Sequence, residues 1–87
     1  MHVKIRRMKS VSVKVPGFGL RLKKARIEAG LTQQKVADSI GVTSRHYQKY
    51  ESGDVEPPLN TLVSLSIILG VTTDYLLGLS DEVSSGE

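Results

Sequence analysis

Between Gly17 and Gly78 the apolar residues recur every three or four positions, in short runs separated by glycine. Leu22-Ala25-Ala29, Val36-Ala37-Ile40, Tyr47-Tyr50 and Leu59-Leu62-Leu65-Leu69 each line one side of a helix. Gly30, Gly41, Gly53, Gly70 and Gly78 follow these runs, in the position a helix stop favours. Thr32, Thr43 and Thr72 stand where the next helix begins, each with a hydroxyl able to accept from a free N–H group. Pro57-Pro58 suits a loop running into the first turn of a fourth helix. The pattern predicts five helices, near 18–29, 32–40, 43–52, 58–69 and 72–77, and hence an all-α domain over residues 17–79.

The two ends follow other patterns. In residues 1–16, Val3 and Ile5, then Val11, Val13 and Val15, alternate with polar residues, which is the period of a β-strand. The segment carries Lys4, Arg6, Arg7, Lys9 and Lys14 and no acid. A lone strand is marginal in water, so this basic arm needs something to pair with, and a second copy of the chain is the favoured choice. Insertion into a DNA groove and a passenger segment are its other two readings. The polar tail, residues 80–87, is expected to fray.

Composition narrows the chemistry. With 87 residues the chain has the length of one small domain, and its core must be economical. The absence of Cys excludes disulfides, Cys-ligated zinc and thiol catalysis. No apolar run approaches the roughly 18 residues of a membrane span. No secretory signal is visible, so the expectation is a cytoplasmic protein without a membrane partner.

Charge changes the picture more than composition does. All 12 Lys and Arg lie in residues 1–49, beside only two acids, Glu28 and Asp38. Residues 50–87 hold the other seven acids and no Lys or Arg. A net +10 half followed by a −7 half suggests a basic face for a polyanion and an acidic face turned away. Mutual attraction of two halves of a dipolar domain is the alternative that charge leaves open.

The run Thr32 to Glu51 places two short predicted helices around a tight turn at Gly41, with small Ala37 where they approach. That is the layout of a helix-turn-helix. The second helix must project so that its outer side chains reach a major groove about 12 Å wide. Tyr47 and Tyr50 anchor its inner side, while Ser44, Arg45, Gln48 and Lys49 face outward and can all donate hydrogen bonds.

Over residues 18–79 the chain resembles the phage-repressor and Cro type of helix-turn-helix domain, the XRE family. The residues that carry the likeness include Arg26, Gly30-Leu31-Thr32-Gln33, Val36-Ala37, Gly41-Val42-Thr43, Tyr50-Glu51-Ser52-Gly53, Pro57, Leu62, Leu65 and Gly70 to Gly78. The resemblance implies a five-helix fold and a transcription regulator, expected to be a repressor, bound as a homodimer to a two-fold double-stranded DNA operator. It implies that Gln33 and Thr43 meet phosphates, and that Ser44, Arg45 and Lys49 read bases. Arg45 suits a guanine, since its fork fits O6 and N7 together, while Lys49 reaches either a guanine edge or a phosphate. Gln48 is a further base-reading candidate, and Lys35 a backbone contact. Arg26 and Glu51 are expected to form a buried structural ion pair. Where the family often brings a basic residue to the phosphates after the third helix, this chain has Asp54-Val55-Glu56. Either those acids point away from DNA or the loop stands back from it, and Asn60 is then a neutral phosphate contact. The dimer surface is assigned either to the fifth helix, with Val71, Tyr75 and Leu79, or to the arm.

Rival functions are weaker. The only histidines are His2 and His46, no nucleophile–base arrangement is suggested, and Gly17-Phe18-Gly19 lacks the third glycine of a nucleotide loop. Neither an enzyme nor a cofactor or metal site is expected; Arg21, Lys23 and Lys24 are read as a solvated face. The stronger rival is an antitoxin or protein-binding regulator on the same fold. Such a protein should expose apolar residues on the outer side of the third helix, and the residues there are polar.

Overall fold

A computed structural model describes residues 14–83, and they form five helices: α1 (Phe18–Glu28), α2 (Gln33–Ile40), α3 (Ser44–Ser52), α4 (Leu59–Leu69) and α5 (Thr73–Leu77). The predicted helices correspond to these within about one residue at each end. Local chemistry explains that agreement. Thr32, Thr43 and Thr72 are the N-caps of α2, α3 and α5, and their hydroxyls accept from the N–H groups of Lys35, His46 and Tyr75. Between α2 and α3 the chain reverses at Gly41, whose φ of 75° lies in the left-handed region that a side chain disfavours. Its N–H donates to the carbonyls of Ala37 and Asp38, and that of Val42 to Ala37, closing α2 within a single turn.

The helices wrap one core. Phe18, Leu22 and Ala25 of α1 meet Val36 and Ala37 of α2, Tyr47 and Tyr50 of α3, and Leu62, Leu65 and Leu69 of α4, with Val71 and Leu76 closing it. Helix α1 packs on α3 and α5, α2 on α3 and α4, and α4 on α5. The α1–α3 approach depends on Gly19, because a Cβ there would collide with the backbone carbonyl of Glu51.

Three sequence expectations need correction. Leu59 and Ala29, assigned to inward stripes, are exposed. By helical rotation Leu59 falls on the same side of α4 as exposed Val63 and Ile67, away from the side of Leu65 and Leu69 that faces the core. Arg21, read as solvated, bridges α1 to the end of the domain: its Nε donates to the Leu76 carbonyl at 2.9 Å and its Nη2 to that of Pro16 at 2.7 Å. The first part of the tail also has partners, since Thr72 donates from its N–H to the Val83 carbonyl and from its hydroxyl to that of Glu82. The arm's alternating Val3, Ile5, Val11 and Val13 lie outside the described residues.

Candidate nucleic-acid interface

Helix α3 is an amphipathic element whose two sides have separate duties. At 3.6 residues per turn, Ser44, Arg45, Gln48 and Lys49 fall within an arc of about 140°, opposite Tyr47 and Tyr50. Arg45, Gln48 and Lys49 are exposed and Ser44 is half-buried at the first turn, whereas both tyrosines are buried. The Tyr47 and Tyr50 rings meet edge to face at 6.1 Å, and His46 packs edge-on against Tyr50 at 5.1 Å. These contacts hold the outer side of α3 at a fixed rotation, which a helix reading base edges requires.

Behind α3 lies a polar cluster around Glu51. Arg26 of α1 approaches its carboxylate through Nε at 2.6 Å and Nη2 at 3.3 Å. The two side chains are only 12% and 5% exposed. Gln33, at the start of α2, donates from Nε2 at 3.0 Å, and the Tyr47 hydroxyl donates at 2.6 Å. The remaining guanidinium nitrogen, Nη1, donates to the Leu31 carbonyl at 2.9 Å, so Arg26 also secures the loop before α2. Four groups from three helices thus converge, and no buried side-chain polar atom among the described residues is left without a partner.

The titration of the cluster follows from these contacts. Burial by itself would raise the Glu51 pKa, but the hydrogen bonds from Arg26, Tyr47 and Gln33, with the Arg26 charge, more than offset it and hold the carboxyl below 4.5. The hydrogen bond to Glu51 raises the Arg26 pKa further. Burial, reinforced by the same carboxylate, raises that of the Tyr47 hydroxyl. At neutral pH the cluster is a charged pair held by neutral donors.

A helix-turn-helix family model matches residues 22–76, from within α1 to within α5. This chain belongs to the helix-turn-helix family. It is 57% identical over 60 residues to the SPbeta prophage-derived HTH-type transcriptional regulator YonR of Bacillus subtilis, covering 69% of this chain and 56% of that protein. It is 44% identical over 67 residues to the HTH-type transcriptional regulator ImmR of the same species, covering 77% and 52%. To the cryptic phage CTXphi transcriptional repressor RstR of Vibrio cholerae it is 38% identical over 58 residues, covering 67% and 52%. The chain therefore spans about half the length of these relatives. Among solved structures, a transcriptional regulator from Listeria innocua aligns with a TM-score of 0.66 at 28% identity, covering 78% of this chain and 64% of that one.

In this helix-turn-helix, α2 and α3 are the paired helices, and the other candidate residues sort around them. Thr43 caps α3, so its hydroxyl oxygen is engaged by His46 N–H while its proton stays available to an anion. Gln33 gives one N–H to Glu51 and retains the other. Lys35 is exposed on α2. Asn60 is exposed in the first turn of α4, on an element separate from the α2–α3 pair.

The acidic loop after α3 is held from the other side. Lys14 donates from Nζ to the carbonyls of Gly53 and Asp54, at 2.8 and 2.7 Å, placing a cation at the negative end of α3. The Glu56 carboxylate accepts from the Val15 N–H, so it is turned to the root of the arm.

Sequence reasoning missed Gly19 as a support, and it placed Tyr47 as an inner anchor of α3 without its hydrogen bond to Glu51. The four-residue interval from Tyr47 to Glu51 signals a same-side contact, but nothing local signals that Gly19 lies against a carbonyl 32 positions later.

Proposed function

We propose that this chain is a sequence-specific DNA-binding transcription regulator, a repressor, that places α3 in the major groove of double-stranded DNA. The observation that carries the reading is the outer side of α3: four hydrogen-bonding side chains, two of them cationic, on a helix fixed from behind by Tyr47, Tyr50 and the Glu51 cluster. Ser44, Arg45, Gln48 and Lys49 read bases, with Arg45 as the guanine reader. Gln33, Thr43, Lys35 and Asn60 set the register on phosphates, helped by the free N–H groups at the starts of α2 and α3. Two copies occupy a two-fold site with their α3 helices in successive major grooves about 34 Å apart. One domain of this size makes too few contacts for tight specific binding, which is why a homodimer belongs to the proposal.

A protein-binding or antitoxin role would favour apolar side chains on the outer side of α3, and there are none at positions 44, 45, 48 and 49.

The test is a salt titration of binding to random duplex DNA and to a site enriched by selection, for wild type and Arg45→Ala. Binding whose logarithm falls linearly with the logarithm of salt is expected. Arg45→Ala should keep the nonspecific affinity and lose about 1–3 kcal/mol on the enriched site. A folded protein that fails to bind DNA at low salt would overturn the proposal.

A further inference from the structure

Among the helices of the described residues, α4 alone has no ionisable side chain, in a chain where 24% of residues are charged. Its core side is Leu62, Leu65 and Leu69. About 130° around the same helix runs a second apolar stripe, Leu59, Val63 and Ile67, spaced four residues apart so that it forms one continuous side. These side chains remain 80%, 50% and 73% exposed. The stripe also has a receptor beside it. Leu59 stands at the rim of a mainly apolar groove of about 170 Å³, lined by Val15, Phe18, Pro57, Leu62 and Leu77 together with Glu56, whose carboxylate is engaged by the Val15 N–H. A cavity of roughly 150 Å³ accepts a benzene molecule, so the groove has room for one aliphatic side chain.

We infer that this side of α4 is where a second copy of the chain docks, each copy's Leu59 entering the other's groove. Charge selects that occupant. A two-fold pair sets a surface against itself, so a face of one sign opposes its own charge. The basic surfaces of α1 and α3 cannot meet themselves without repulsion, whereas α4 can, with neutral Asn60 and Ser66 flanking the stripe. Apolar, charge-depleted character is what the centre of a lasting interface requires. The surface expected on α5 is largely spent: Val71 is buried in the core, Tyr75 is half-buried, and only Leu79 stands free. This inference deepens the two-fold binding proposed above, yet pairing through α4 can be measured without DNA.

The experiment uses the full chain, by sedimentation equilibrium and by single-cysteine cross-linking, which the cysteine-free sequence makes clean. Wild type should be dimeric, and Leu59→Lys with Ile67→Lys should weaken pairing by about a hundredfold while leaving the helical circular-dichroism spectrum unchanged. Leu59→Cys should cross-link to its copy under mild oxidation, whereas Ile27→Cys, at the far end of α1, should not. A monomeric wild type, a double-Lys variant that pairs as well as wild type, or equal cross-linking at Ile27 would each overturn the inference. Because both Lys substitutions lie outside α3, a monomeric variant that still prefers a half-site over random DNA supports the α4 interface and leaves the base-reading assignment standing. Pairing through α4 in a protein that ignores DNA would uphold the interface and sink only the DNA reading.

Discussion

Glu51 shows how much a single side chain can hold in a domain this small. It receives hydrogen bonds from Arg26 on α1, Gln33 on α2 and Tyr47 on α3, so the orientation of α3 depends on one carboxylate. Removing Arg26 leaves that carboxylate buried without its counter-charge, and Arg26→Ala should cost about 3 kcal/mol in urea denaturation. The pH dependence has a definite sign. The folded protein binds the Glu51 proton more weakly than the unfolded chain does, so acid favours unfolding. Stability from this group is complete above pH 4.5 and is lost as the pH falls below it toward the lowered folded value. Glu51→Gln should therefore be less stable at neutral pH and show a shallower loss below pH 4.5. An acid limb as steep as that of wild type would assign the titration to another group. The pair itself was legible, because Arg26 and Glu51 both sit in motifs of the resembled family. The resemblance gave Gln33 only an expected phosphate contact, and its bond to Glu51 emerges from the packing of α2 on α3.

Among the helices, beginnings and ends were the most readable features. Thr caps and glycine stops act within four residues of chain, so their chemistry needs no knowledge of the rest of the fold. Thr43→Ala should accordingly destabilise the domain by about 1 kcal/mol, read as a lower urea midpoint with an unchanged slope. Packing between helices was less readable. Gly19 gives no local sign of its role, since position 19 sits inside a helix where glycine is ordinarily unfavourable. Its smallness matters only because the Glu51 carbonyl occupies the space a Cβ would take. Gly19→Ala should gain helix propensity and still lose about 1–3 kcal/mol through the forced shift of α1 from α3. A stabilised variant would show that the two helices can part without cost. Leu59 failed for the complementary reason: its three-residue step to Leu62 fits the inward stripe, but rotation along α4 puts it beside Val63 and Ile67, on a side no described helix covers.

For the molecule as a whole, the separation of charge governs the long-range behaviour. Arg45 and Lys49 stand exposed on α3 and Lys35 on α2, while the acids Asp74, Asp81 and Glu82 belong to α5 and the segment after it. Lys35→Ala should lower the salt slope of DNA binding by about one ion, affecting random and selected sites alike. Neutralising Asp74 or Glu82 should leave that slope unchanged; an equal change would mean that the acidic half also faces the duplex.

By itself the sequence determined the helical class, the order and limits of the helices, the split of charge and the polar outer side of α3. Each of these follows from residue spacing or from chemistry confined to a few neighbouring positions. Tertiary packing alone brings Gln33 to the Arg26–Glu51 pair, sets Arg21 and Lys14 against distant carbonyls, and leaves a second apolar side of α4 uncovered. Those outcomes depend on which helices pack against which, and contacts across 18 to 55 positions of chain leave no periodic trace along it.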